Sequence, residues 1–358
     1  PLSFFLLFFL FLLLFGFFFF FFFFGGGGGG GPPPPPPALS KSRAACQSRA
    51  MVTSLNGTPA SPLTYGTMQF GSAADEGASH EMFEACRASG ITHFDTAWAY
   101  TEGRSETLLG RFGKAEREAL IIATKVAYSG GAGRENILTS FDESRRRLGM
   151  DMVDILYMHR FDDEAPLEET FETLAGLRDE GVIRYIGVSN YAAWQVMKAQ
   201  AVAARFATTI DVIQPMYSLV KRQAEVEIFP MAQDQSVFIA PYSPLGGGLL
   251  TGKYSRGGTG RLLEDARYRA RYGLSWMHNV AAELATRAAA QGVHPATLAV
   301  AWAASHPAKP APIISARSAA QLAPSLAALN HTLSPEDRDA LTALTPPLAP
   351  ATDRLEEA

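Results

Sequence analysis

From Tyr65 to Leu329 the chain repeats one beat, a short apolar run followed by a stretch with apolar residues at helical spacing. The runs begin at Tyr65, Thr92, Leu120, Val153, Ile183, Val212, Val237 and Pro312, eight in all. The helical stretches open with "EMFEACRAS", where Met82, Phe83, Cys86 and Arg87 share helical spacing and Gly90 caps the end. Ser105 starts the next, "RENILTSFDESRRRLG" ends at Gly149, and "PLEETFETLAGLRDEG" runs from Pro166 to Gly181. Further helices are predicted at 192–206, 223–232, 279–291, 295–305 and 319–329. Strands that are apolar throughout belong to a parallel sheet covered by helices. Eight such units over about 300 residues predict an α/β fold, a (β/α)8 barrel of the TIM type. An open doubly wound sheet calls for G-x-G-x-x-G after the first strand, and that pattern is absent.

The whole chain has 358 residues, a net charge of -4, 18% charged and 47% hydrophobic residues, ordinary values for a soluble enzyme. Its first 50 residues are different in kind: a Phe-rich run to Phe24 is followed by a glycine run to Gly31 and a proline run to Pro37. Homopolymer blocks lack the varied side chains of a packed core. Residues 1–50 are therefore read as a low-complexity leader, an upstream translation of repetitive nucleotide sequence, with synthesis starting at Met51 and a single catalytic domain over 51–358. If translated, the apolar run is long enough for a signal or membrane anchor, although no positive region precedes it. Two cysteines, Cys46 and Cys86, make no disulfide framework, which favours a reducing, cytoplasmic setting. The seven histidines show no metal-ligand spacing, and the mild acidity offers nucleic acid no basic patch.

Chemistry in such a barrel lies at the C-terminal ends of its strands. Strand two ends in Asp95, three in Lys125, four in His159, five in Ser189 and Asn190, six in Gln214, and seven in Tyr242 and Ser243. A lysine ammonium at a partly dry rim lowers the pKa of a neighbouring phenol, and Asp95 would hold Lys125 charged. Tyr100 could then give a proton to an oxygen that becomes negative, while neutral His159 donates a second hydrogen bond to it. That set suits hydride addition to a carbonyl. It contains no activated serine or cysteine and no paired metal carboxylates, so hydrolysis and metal chemistry find no support.

The segments "YGTMQFG", "HFDTAWAY", "GRSETLLG", "IIATK", "DILYMHR", "GVIRYIGVSNY", "IQPMYSLV", "PYSPLGGGLLTGKY" and "PIISARSAAQL" resemble the aldo-keto reductase superfamily in order and spacing. The pattern is nearest to its channel-β-subunit and aflatoxin-aldehyde-reductase branches. The resemblance implies a barrel that binds NADPH without a Rossmann domain and reduces a small-molecule aldehyde or ketone. It implies a tetrad of Asp95, Tyr100, Lys125 and His159, with Tyr100 as proton donor and His159 orienting the carbonyl. Gly66, Thr67 and Met68 fall in its cofactor-binding positions. So do Ser189, Asn190 and Gln214 at the nicotinamide carboxamide, and Tyr242 stacked on that ring. Ser243, Leu245, Gly247 and Gly248 match the pyrophosphate loop, and Ser315, Arg317, Ser318, Gln321 and Ser325 match the adenosine and 2'-phosphate grip. Ser315 stands where glycine or lysine is common and Ser325 where asparagine is usual; both shorten the reach, so NADH stays open beside NADPH. His159 stands where the channel-β relatives usually carry asparagine, which implies an active reductase over the alternative, a low-turnover NADPH-binding sensor subunit.

Trp98 is read as lining the substrate pocket beside Tyr100 and His159, with packing on the barrel rim as the competing reading. Arg145, Arg146 and Arg147 are read as a solvated helix face near the helix C-terminus. Tyr217 is left between a cofactor contact and a structural role. The Gly- and Arg-rich stretch 255–273 is read as a lid over the cofactor.

Overall fold

The computed structural model describes residues 52–254, 257–354 and 356, so the readings made for the leader, Cys46 and Met51 lie outside the described residues. Eight strands appear at the expected places: β1 Thr64–Gly66, β2 His93–Asp95, β3 Ile121–Val126, β4 Val153–Met158, β5 Ile183–Ser189, β6 Val212–Gln214, β7 Phe238–Ile239 and β8 Ile313–Ile314. All pair in parallel in the order β7-β6-β5-β4-β3-β2-β1-β8. Backbone bonds from Ala311 N to Ile239 O and from Ile313 N to Pro241 O, both 2.8 Å, join the two ends and close the barrel. A closed sheet has no edge to protect, and its βα units bury both faces.

The helices are α1 Glu76–Ala88, α2 Arg104–Gly113, α3 Arg134–Leu148, α4 Leu167–Asp179, α5 Ala193–Ala203, α6 Ile228–Asp234, α7 Arg261–Glu264, α8 Ala266–Tyr272, α9 Ser275–Ala290, α10 Pro295–Ala304, α11 Ala319–Leu326 and α12 Pro335–Thr342. Their starts follow local chemistry. Asp75 caps α1 by accepting from Ala78 N, and Gly149 ends α3 in the left-handed conformation (φ 63°) that a side chain would resist. One apolar cluster fills the space between strands and helices, and a second, with Ile121, Ala123, Ile155, Tyr157, Val212 and Phe238, fills the barrel interior. Gly187 permits that filling, because a Cβ there would come 2.3 Å from the Tyr157 ring.

Several boundaries differ from expectation. The predicted 223–232 helix is a 3-10 turn, Gln223–Glu225, followed by α6, and α9 begins at Ser275 rather than Asn279. The 319–329 helix carries Pro324 and tightens to a 3-10 turn after Leu326. Helix α12 was not foreseen, although Ser334 caps it, Pro335 opens it and Glu336 and Asp337 fill its first turn. Among the described residues no helix is long and apolar enough to cross a membrane, and no His/Cys/Asp/Glu group could hold a metal.

Candidate active site

Parallel pairing brings the strand ends to one rim. Asp95 closes β2, Lys125 lies one residue before the end of β3, and His159 follows β4. The Lys125 ammonium donates to Asp95 Oδ1 and, at 2.7 Å, to Thr96 O. It also lies 5.0 Å from the centre of the Tyr100 ring. The Tyr100 and His159 rings meet edge to face, 5.9 Å between centres. Gln214, ending β6, donates from Nε2 to Asp95 Oδ2 at 2.9 Å. The four tetrad residues and Gln214 therefore form one connected group, with Asp95 and Lys125 almost fully buried at 2% and 1% exposure.

Burial sets the electrostatics of this group. It opposes charge on Lys125, but Asp95 and then Tyr100 outweigh it, and the lysine pKa rises. Burial also pushes Asp95 up, against the pull of Lys125 and Gln214. Tyr100 corrects the sequence reading. Lys125 does lower its pKa, yet burial is the larger effect and the phenol lies above its ordinary value. His159 is driven down to about 3 by burial and then by Lys125 and Arg160, so it is neutral at pH 7, as expected.

Around the tetrad, Asn190 (φ 58°) donates from Nδ2 to His159 O at 3.0 Å and to Ser189 Oγ at 3.1 Å. Ser189 Oγ donates to Gln214 O at 3.1 Å, and the Tyr242 hydroxyl donates to Asn190 Oδ1 at 2.7 Å. Beyond Tyr242, Ser243 (φ 64°) leads into a 3-10 turn over Gly246–Thr251, preceded by Leu245, in which Gly247 and Gly248 are left-handed (φ 65° and 95°). Across β8 from Tyr242, Gly66 lies close under Ile313, whose side chain would be 2.7 Å from a Cβ there, and Thr67 Oγ1 donates to Asp95 O at 3.2 Å. Met68 follows, half-buried. Ser315 Oγ is a buried hydroxyl with no partner among the described residues. Ser318 caps α11 by accepting from Gln321 N, Gln321 Oε1 accepts from Arg317 N, and Arg317 is exposed. Ser325 is buried in α11 at 1% exposure and does not reach the surface that Arg317 and Gln321 share.

Trp98 is held at the rim: its indole Nε1 donates to Glu143 at 2.7 Å and Arg147 lies over the ring at 5.5 Å. Arg147 itself corrects the reading of a solvated arginine run, because it is 18% exposed and paired with the fully buried Glu106 as well as Glu143. Tyr217 proves structural, stacked on Trp302 at 5.1 Å and donating to Glu225 at 2.6 Å. The described part of 255–273 folds as α7 and α8 against the glycine turn, and a Cβ on Gly247 would come 2.7 Å from the Tyr268 ring. Two residues near the tetrad escaped the sequence reading. Tyr128, half-exposed, puts its ring 4.9 Å from that of His159; its place just past β3 was the available signal. Ser105 is a buried hub, donating to Thr67 O and within 2.9 Å of Thr96 Oγ1, with only its helix-start position visible beforehand.

Residues 62–346 match the family model described as the aldo/keto reductase family. The chain belongs to that family. As an aldo/keto reductase it is a nicotinamide-dependent oxidoreductase, and the group's general reaction is carbonyl reduction. Both expected branches are among its relatives. It is 31% identical to a rice (Oryza sativa subsp. japonica) protein named "Probable voltage-gated potassium channel subunit beta", over 81% of this chain and 94% of the rice protein. It is 32% identical to the "Uncharacterized oxidoreductase YrpG" of Bacillus subtilis, over 78% and 90% of the two chains. Human "Aflatoxin B1 aldehyde reductase member 4" is 35% identical over 53% of this chain and 59% of its own length.

Proposed function

We propose that this aldo/keto reductase reduces an aldehyde or ketone to an alcohol with NADPH, and that Tyr100 gives the proton. One observation carries the reading: the buried Lys125 ammonium donates to Asp95 and lies 5.0 Å from the centre of the Tyr100 ring, with a neutral imidazole beside the phenol. NADPH supplies the hydride when bound. Asp95 keeps Lys125 charged, and Lys125 favours the phenolate that remains once Tyr100 has given up its proton. The raised pKa of Tyr100 keeps that proton in place at neutral pH until an acceptor arrives. His159 donates a second hydrogen bond to the carbonyl oxygen, and Trp98 borders the same pocket.

The chain's residues fit the cofactor. The left-handed Ser243, Gly247 and Gly248, with Leu245 beside them, form the kind of turn whose successive backbone N–H groups suit a pyrophosphate. Ser189, Asn190 and Gln214 offer amide and hydroxyl groups to the carboxamide, and Tyr242 a ring to stack on. The unpaired Ser315 hydroxyl and exposed Arg317, with Ser318 and Gln321, suit the adenosine end, the guanidinium favouring a 2'-phosphate, whereas buried Ser325 does not reach it. Gly66, Thr67 and Met68 complete the cofactor floor. The rice relative's name suggests a second reading, a regulatory subunit with low turnover. The complete tetrad, His159 included, argues for the reductase.

Purified protein is assayed for NADPH oxidation against a panel of aldehydes and ketones, beside Tyr100→Phe. The variant is expected to lose roughly 100- to 10,000-fold in turnover, the range for a lost general acid, while NADPH still quenches tryptophan fluorescence. Wild-type turnover in the variant would overturn the assignment to Tyr100. Equal rates with NADH would overturn the cofactor preference.

A further inference from the structure

The loop that carries Tyr100 is bolted from outside the tetrad. Trp98 N–H donates to Lys125 O at 3.0 Å, adding a rung beyond the β2–β3 pairing, and Trp98 O accepts from Arg147 Nη1 at 2.9 Å. Trp98, two residues before Tyr100, is thus gripped through both its N–H and its C=O. Arg147 is fixed in turn by Glu106 at 3.2 Å and Glu143 at 2.8 Å, and Glu143 also takes the Trp98 indole N–H. Glu106 has no exposure, and its other oxygen accepts from Thr124 Oγ1 at 2.6 Å, on the strand residue next to Lys125. Just past Tyr100, Thr101, Glu102 and Gly103 all have positive φ (48°, 56° and 87°), a run that an L-residue chain does not keep unaided. Gly103 is also where the guanidinium needs room, since a Cβ there would lie 2.5 Å from Arg147 Nε.

We infer that Arg147 is a positioning residue for the proton donor: clamped between Glu106 and Glu143, it holds the 98–103 loop so that the Tyr100 hydroxyl stays beside Lys125. The inference rests on the role proposed for Tyr100. Arg147 touches neither substrate nor cofactor in this scheme. Its leverage is geometric, because a misplacement of about 1 Å at a reacting group costs on the order of a hundredfold in rate.

Two variants test it. Arg147→Lys keeps a cation against Glu106 but loses the planar fork that reaches Trp98 O and both carboxylates together. The double variant E106Q/R147M removes both charges, so no buried carboxylate is left unpaired. Each is measured for kcat and KM with NADPH and para-nitrobenzaldehyde, for NADPH affinity by fluorescence quenching, and for amide hydrogen exchange over residues 98–105. Expected in both are a kcat lower by about ten- to a hundredfold, NADPH affinity within about twofold of wild type, and faster exchange over that loop. A folded variant with wild-type kcat, or unchanged exchange over 98–105, overturns the clamp. If the wild type itself oxidises no NADPH with any carbonyl, the reductase reading fails, while the exchange comparison still decides the clamp.

Discussion

Lys125 carries its charge where charge is costly, at 1% exposure on the third strand, and only its neighbours make that tenable. Replacing it by methionine strands Asp95 as a buried carboxylate without its cation; breaking such a pair costs about 3–5 kcal/mol. Lys125→Met should therefore unfold at lower urea as well as lose turnover. The double variant D95N/K125M should recover part of the stability and none of the activity, and recovery of both together would reduce the pair to a structural role. The gathering of Asp95, Lys125 and His159 was legible in sequence because polar side chains ended apolar runs, a pattern that topology turns into a single rim; Tyr100, in the loop past β2, ended no such run. The sign of the Tyr100 shift was not, since it depends on how deeply the phenol is buried, and burial outweighs Lys125. Arg147 was illegible for a related reason. A run of three arginines has no direction in sequence, and although Glu143 and Arg147 share a helix face at i,i+4, nothing local announced that Glu106 would be fully buried behind them.

Between elements, the same substitution should have opposite signs at two glycines. Gly110 lies where α2 crosses α3, and a Cβ there would stand 1.9 Å from the Leu148 carbonyl oxygen, a backbone atom that cannot swing aside. Gly110→Ala is expected to force the two helices apart and cost about 1–3 kcal/mol. Gly176 sits inside α4 with nothing within 4 Å of its added Cβ, so Gly176→Ala should stabilise by up to about 1 kcal/mol through helix propensity. Urea titration of both variants against wild type reads the contrast, and a stable Gly110→Ala would show that the crossing is not close. Element identity was readable from periodicity, because an apolar stripe persists over several turns. Element ends were less so. The break before α6 and the early start of α9 depend on what each segment packs against, and α12 was announced only by its first turn.

For the molecule as a whole, eight repeats of one beat were enough to imply a barrel, because a chain of parallel βα units that buries both sheet faces has few other ways to close. Filling that barrel has an acid-sensitive consequence. His93 points into the interior, with Nδ1 3.0 Å from Thr64 Oγ1 and Nε2 buried and unpartnered among the described residues. Burial and then Lys125 push its pKa to about 3; His159 is likewise near 3, and burial takes His306 to about 4. An unfolded histidine titrates near 6.5, so below that pH the unfolded chain binds protons that the folded chain refuses. The stability these neutral rings contribute is therefore complete above about pH 6.5 and is lost as pH falls towards about 4 and then 3. Asp95 and Asp211 act in the opposite sense, since their raised pKa values let the folded state take up protons before the unfolded chain does. The net curve thus mixes signs, and a single replacement separates them. His93→Asn should be less stable than wild type at neutral pH, but its stability should fall less steeply in acid, by about 1.4 kcal/mol per pH unit between roughly pH 5 and 4, one proton's share. Urea unfolding at stepped pH measures both slopes, and parallel curves would mean that His93 accepts its proton inside the folded barrel.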